Sequence, residues 1–427
     1  MSPTPEPIDS GLLASLAGLR RDGRLLFLTR VLRMFAYGFL AVVLVLYLDG
    51  LGIDSITIGL ILTLTLIGDT VISLWLTTRA DRVGRRVVLV AGSLLMAAAG
   101  FAFALTASVP LLILAATIGV ISPTGNEVGP FLAVEQAALS QATPDARRTP
   151  TFAWYNVAGY VATAIGALAA GLLSQGLQAA GLAAVESYRA IVIGYGLVGL
   201  VMAVVFWRIG PTIEATEIAA DEGIGRRFGI GPRSRPIVAR LSALFALDAF
   251  GGGFIPQSLM AYWFHLRFGV DPAILGGIFF AANLLAAVSS LSAARIAARF
   301  GLVNTMVFSH LPSNILLILV PLMPNLALAV GVLLVRFSLS QMDVPTRQSY
   351  VMAVVEPGER SAAAGVTGIA RTTGAAISPA ISAPLVASGN LIALPFFLAG
   401  GLKIVYDLLL YRAFRSGVAP DERKPER

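Results

Sequence analysis

The sequence predicts an all-α membrane protein with 12 transmembrane helices in two six-helix, pseudo-symmetric bundles. Three observations lead there. Twelve hydrophobic runs fill the chain from about Leu25 to Arg412, a charged linker follows the sixth run, and short motifs recur at nearly one offset in the two halves. A hydrocarbon core of about 30 Å takes about 20 apolar residues in helical form, and runs such as 25–48 and 87–107 meet that length. With 56% hydrophobic residues, 13% charged residues and a mean hydropathy of +0.81, the 427-residue chain must give most of its surface to lipid.

Taken in order, a polar, proline-containing tail occupies 1–24 and lacks the short apolar core of a cleavable signal, so the first span is expected to remain as an anchor. Spans are expected at 25–48, 55–77, 87–107, 109–139, 151–174 and 189–208, forming the N-terminal bundle, 25–208. The linker, 209–237, carries Glu214, Glu217, Asp221 and Glu222, then Arg226, Arg227, Arg233 and Arg235. Spans at 238–264, 272–294, 302–321, 325–351, 361–387 and 389–411 form the C-terminal bundle, 238–411, followed by a tail, 412–427.

The net charge of +7 marks sidedness rather than a nucleic-acid surface. Most of the 31 Lys and Arg lie in the termini and even-numbered loops, and only Arg189 and Arg267 fall in odd-numbered ones. By the positive-inside rule both tails are cytoplasmic, and the expected location is a cell membrane of the bacterial inner-membrane type, crossed many times. The expected partners are lipids, a small-molecule substrate and protons, with no nucleic acid, and the chain is expected to act as a monomer. With no cysteine and two histidines, His265 and His310, neither a disulfide nor a thiolate or His-rich metal site is available. There is no Gly-x-x-x-x-Gly-Lys-Ser/Thr loop for ATP and no nucleophile constellation. No cofactor and no enzymatic activity are expected.

An offset of 213 places Pro144-Asp-Ala-Arg147 on Pro357-Gly-Glu-Arg360, and one of 217 places Arg82-Val-Gly84 on Arg299-Phe-Gly301. Such a parallel repeat suits transporters that rock two bundles around a midplane site. Between the second and third spans the chain reads Thr77-Thr-Arg-Ala-Asp81-Arg82-Val-Gly84-Arg85-Arg86. This resembles the signature loop of the major facilitator superfamily, Gly-x-Leu-Ala-Asp-Arg-x-Gly-Arg-Arg, with Thr77 and Arg79 departing from it. The resemblance implies a secondary transporter working by alternating access. It also implies a cytoplasmic latch, in which Asp81 meets the start of span eleven near Ser361 and a loop arginine (Arg82, Arg85) pairs with Glu135, with Gly84 making the turn. The family's antiporter pattern, Gly-x-x-x-Gly-Pro-x-x-Gly-Gly, is incomplete in span five, where Gly159, Gly166 and Gly171 stand without proline. A similar small-residue pattern, Gly374 to Ser382 with Pro379, occurs in span eleven, and close helix packing alone would explain it.

Ionisable residues inside spans carry the functional reading, because a charge at membrane depth is costly unless paired or wetted. Arg33 lies about 13 Å along the helix from Arg24, with Tyr37 one turn further on, and both are candidates to reach a central cavity. Arg30 is shallower and expected to snorkel to the interface. Arg336 and Arg371 are deep in spans ten and eleven and call for an anionic partner, a protein carboxylate or an anionic or zwitterionic substrate. Asn156 and Gln257 are the amides placed to line the same pocket. Candidate proton carriers are Asp69, Glu127, Asp248 and Asp343, since a desolvated carboxylate can take up a proton. The glycines and prolines around Glu127 and Pro345 should loosen spans four and ten. Asp343 with Arg347 and Lys403 with Asp407 have the spacing of intrahelical pairs, and His310 reads as a satisfied structural histidine. The expected function is proton-coupled efflux by antiport, with import by symport, uniport and a non-transporting receptor as alternatives.

Overall fold

The computed structural model describes residues 19–143, 145–214, 230–356 and 359–415, without the side chains of Asp81, Ala142, residues 145–150 (Arg147 among them), Thr212 and Ser361. The tails before residue 19 and after 415, most of the linker, and the expected contact between Asp81 and Ser361 therefore lie outside the described part.

Within it the chain is helical, with no strand among the described residues. Span one is α1 (Arg21–Ala41) and α2 (Leu44–Gly50), bent by 42°. Spans two and three are α3 (Ser55–Val83) and α4 (Arg85–Leu105). Span four is interrupted, α5 (Val109–Ile118) and α6 (Phe131–Ala142), and spans five and six are α7 (Asp145–Ala179) and α8 (Ala184–Trp207). The second half repeats this plan. Span seven is α9 (Arg235–Gly253) and α10 (Gln257–Phe268), eight is α11 (Pro272–Phe300), nine is α12 (Leu302–Leu319), and ten is α13 (Leu326–Ser340) and α14 (Asp343–Val354). Spans eleven and twelve are α15 (Arg360–Ala387) and α16 (Leu394–Phe414). Among the described residues nine spans pass as long and apolar enough, ten with bent span one. The remaining two traverses are those weakened by composition, the interrupted span four and the Ser-, Thr- and Gly-rich span eleven.

The breaks fall in spans one, four, seven and ten, the first helix of each group of three. Loosening around Glu127 and Pro345 is as expected; the breaks in spans one and seven add to it. The repeated loops become equivalent corners: Gly84 (φ 108°) joins α3 to α4, and Gly301 (φ 85°) joins α11 to α12. Only glycine adopts such angles without strain.

Small residues set the helix contacts. Gly166 of span five lies against the backbone of Phe35 and Phe39 in span one, and Gly171 against Pro272 and Gly276 in span eight. In span eleven Gly374 abuts Ala246, and the Ser378 hydroxyl donates to the Phe250 carbonyl at 2.5 Å. Both small-residue patterns thus serve close packing.

Candidate functional site

The unwound segment between α5 and α6 is buried at membrane depth, where every backbone group needs a partner. The Tyr195 hydroxyl donates to Val120 O at 2.6 Å and the Tyr37 hydroxyl to Val128 O at 2.9 Å. The Gly129 N–H donates to Asp69 Oδ1 at 2.5 Å, and the Ser258 N–H, from the other half, donates to Pro123 O at 3.1 Å. Tyr37, expected at a cavity, is fully buried with its hydroxyl committed to this bracket. Asp69, expected to carry protons, also holds the bracket and accepts from Ser73 at 3.1 Å.

Beside it sits the first of two buried charge clusters. Arg33, 0% exposed, donates to Glu127 at 2.7 Å and to both oxygens of Glu135, at 2.8 and 2.7 Å. Thr29 donates to Glu135 at 2.8 Å, and the Tyr155 hydroxyl contacts the same carboxylate. Arg30 pairs with Glu127 and lies 4.9 Å from the centre of the Tyr155 ring. Two expectations are corrected. Arg30 does not snorkel, because Glu127 and Tyr155 supply a carboxylate and an aromatic face at depth. Glu135 pairs with Arg33 rather than with a loop arginine, and with both its oxygens occupied Arg33 is closed to substrate in this state.

The signature loop has another partner. The backbone N–H groups of Arg85 and Arg86, at the positive end of α4, donate to Glu214 at 2.6 and 3.2 Å, and the Arg85 guanidinium reaches Gln141 at 2.9 Å. Arg82 is exposed. Glu214 was visible in sequence only as one linker acid among four.

The second cluster is in the C-terminal half. Asp248 of α9 accepts from Lys403 at 2.6 Å and from Arg347 at 3.3 Å, while Arg347 also donates to Asp343 at 2.8 Å. His310 of α12 meets Asp407 through Nδ1 at 2.9 Å and faces Asp248 through Nε2 at 3.8 Å. Asn314 donates to Asp407 at 2.9 Å. The Asp343–Arg347 pair is as expected. Lys403, expected to pair with Asp407 on its own helix, reaches across to Asp248, leaving Asp407 to His310 and Asn314. An offset of 215 carries Arg33 onto Asp248, so the two halves hold opposite charges at the equivalent place in their first helix.

Arg371 and Arg336 stand apart. Among the described residues neither has a hydrogen bond or ion pair to protein, and the Nε of each is buried without a partner. Arg371 lies in the field of Arg347 and Asp248 without touching either, and Arg336 lies against the ring of Phe337, 5.1 Å from its centre. The offset that pairs Arg33 with Asp248 pairs Arg371 with Asn156, which is exposed in span five. Gln257 opens α10, 3.4 Å from Asn283, with its Nε2 buried and unpartnered. Sequence reading missed Tyr160, which interacts with Ser290. Ser290 helps line a 350 Å³ cavity with Ala294, Ala297, Thr346 and Ser349.

The family model of the Major Facilitator Superfamily matches residues 26–379. The chain belongs to that superfamily. It is a multi-pass membrane transport protein for a small solute. It is 29% identical over 418 residues to the uncharacterized membrane protein YJR124C of Saccharomyces cerevisiae, covering 91% of this chain and 93% of that one. Among solved structures, the nucleoside transporter NupG superposes with a TM-score of 0.70 at 14% identity, covering 93% of this chain and 100% of that one. A bacterial homolog of the human lysosomal transporter Spinster, inward-facing and occupied, gives 0.71 at 16%, covering 95% and 98%. The human organic anion transporter MFSD10 gives 0.62 at 19%, covering 92% and 99%. At these identities the structures share the fold with this member of the superfamily.

Like any such transporter, this one can be asked which side is shut. At the odd-loop ends the halves interlock: Gly59 of span two abuts Pro379 and Ala380 of span eleven, and the Ala380 N–H donates to Thr63 at 3.0 Å. Gly171 meets Gly276, and the Tyr262 hydroxyl donates to Asp49 at 2.8 Å. Toward the even-loop side Asn156 and Thr372 are exposed, and a side chain added at Gly365 or Gly368 would meet open space. The transporter is closed at its odd-loop end.

Proposed function

We propose that the chain carries a small organic anion, or a zwitterion held by its acid group, across the cytoplasmic membrane by alternating access coupled to protons. The observation that supports this most is Arg371, a cation at membrane depth with no hydrogen bond or ion pair among the described residues. Such a charge costs several kcal/mol unless an anion or water satisfies it, so its retention makes sense where an anionic substrate completes it. Arg336, equally unpartnered among the described residues, is a second such cation, and Asn156, Gln257 and Tyr160 are neutral polar candidates for the route.

The arginine distribution supports cytoplasmic tails and even-numbered loops. On that orientation the closed odd-loop end makes this the inward-facing state, and the carrier is proposed to work as a monomer. Efflux by antiport, the first expectation from sequence, calls for proton and substrate to compete for one site. Symport calls for them to bind together, and an unpartnered arginine beside a carboxylate cluster favours that: each positive charge gained by the cluster loosens its hold on Arg371 and frees the guanidinium for an anion.

The test is proton flux in vesicles of the purified protein challenged with lactate, benzoate, glutamate and, as controls, neutral and cationic solutes. Proton movement in step with an organic anion, lost in Arg371→Ala, supports the reading. A response to cations alone, or one that survives Arg371→Ala, overturns it.

A further inference from the structure

We infer that the coupling proton resides on the His310–Asp407 pair between spans nine and twelve. This rests on the proton-coupled reading above and names its site. The groups facing His310 can be counted. Span twelve contributes Asp407, with Tyr406 edge-on to the imidazole, span seven contributes Asp248, and its own helix contributes Asn314; behind Asp248 stand Lys403 of span twelve and Arg347 of span ten, Arg347 also pairing with Asp343, and Arg371 of span eleven lies in their field. Three carboxylates, Asp248, Asp343 and Asp407, thus face two permanent cations, Arg347 and Lys403. Among the groups in contact the cluster is one positive charge short, Arg371 standing in its field without touching it, and every contacting side chain is buried. A proton on His310 supplies the missing charge.

The geometry of the imidazole agrees. In the neutral ring one nitrogen is a donor and the other presents a lone pair. Yet His310 faces a carboxylate on both sides, Asp407 at 2.9 Å and Asp248 at 3.8 Å. The neutral ring satisfies one and turns its lone pair on the other. Taking a proton from water forms the second N–H bond and makes both contacts attractive; returning it to water breaks that bond and leaves Asp248, still held by Lys403 and Arg347, with a stronger pull on a further cation. The cation within its field and without a partner is Arg371. Protonated His310 therefore leaves Arg371 to the substrate, and neutral His310 draws Arg371 toward Asp248, so that proton and anion bind together. The N-terminal cluster lacks this property, since Arg30 and Arg33 already balance Glu127 and Glu135.

The chain has only two histidines, which makes the test direct. In full-length protein in lipid nanodiscs labelled with 15N-histidine, His265→Asn removes the second signal. The remaining imidazole should give the nitrogen signals of a ring bearing both protons, and Asp407→Asn should remove that signature at the same pH. In vesicles, the ratio of protons to anion moved, with lactate, benzoate or glutamate as probe, should fall at least tenfold in His310→Gln and in Asp407→Asn, whose folding is checked by size exclusion. A neutral imidazole from pH 5 to 7 overturns the inference. An unchanged proton ratio in both variants overturns it too while leaving the coupled-transport reading intact. Absence of proton movement with every anion in the parent protein removes both.

Discussion

The two halves hold buried charge clusters at equivalent places and use them differently. In the N-terminal half Arg33 of the first helix is ringed by carboxylates of the fourth; in the C-terminal half Asp248 of the seventh is ringed by cations of the tenth and twelfth. The first cluster contains two cations and two carboxylates and no histidine. The second contains a histidine and an odd charge. On the proposed reading one half holds a fixed strut and the other a cluster whose charge changes, and among the described residues only the second has an unpartnered arginine beside it.

If the N-terminal cluster is a strut, breaking it should cost the most. Arg33→Met leaves Glu135, with no exposed surface, as an uncompensated buried charge, and removing one partner of such a pair costs roughly 3–5 kcal/mol. We expect this variant to lose most of its folded yield, and its thermal midpoint in detergent to fall further than that of any other described below. Near-normal stability would show that the strut is not one.

Asp248→Asn should cost less, about 1–3 kcal/mol, because Arg347 keeps its 2.8 Å bond to Asp343 and Lys403 has a long stem able to move. A loss as large as that of Arg33→Met would erase the distinction between the halves. Arg371→Leu should go the other way. Replacing a partnerless cation at depth should raise the midpoint, by a gain of about 0.5–2 kcal/mol, while anion-driven proton movement is lost. A fall in stability would mean that the guanidinium has a structural partner.

Much of this fold was legible before any coordinates. The twelve runs, the corners at Gly84 and Gly301, the loosening around Glu127 and Pro345 and the Asp343–Arg347 pair all follow from local pattern. What escaped was the choice of partner across spans. Lys403 and Asp407 have ideal spacing on one helix, but such a pair contributes only about 0.2–0.5 kcal/mol, and the buried Asp248 outcompetes it. Arg30 reads as shallow until Glu127 is brought to it by the break in span four. His310 reads as peripheral because nothing in its neighbourhood of sequence announces two carboxylates that lie 62 and 97 positions away. Rotation of each helix about its axis decides these pairings, and no local pattern encodes it strongly.

The smallest expected effect is at the odd-loop ends, where the repeat again differs between its copies. Asp54 caps the start of α3, accepting from the N–H groups of Ile56 and Thr57 and from the Thr57 hydroxyl. Asp271, 217 positions on, precedes α11 and makes no side-chain cap bond. The Thr57 hydroxyl, followed by the Thr57 N–H, holds the Asp54 carboxyl below its ordinary value. A depressed folded-state value means that the contribution to stability is present above the unfolded carboxylate's range, near pH 4, and is lost as the pH falls through the lower folded value. Asp54→Ala should therefore lower the thermal midpoint slightly at pH 7, and the difference from the parent should shrink toward pH 3. Asp271→Ala should change the midpoint less at either pH. Equal effects at the two sites would mean that the cap bonds at Asp54 contribute nothing that the repeat does not supply at both ends.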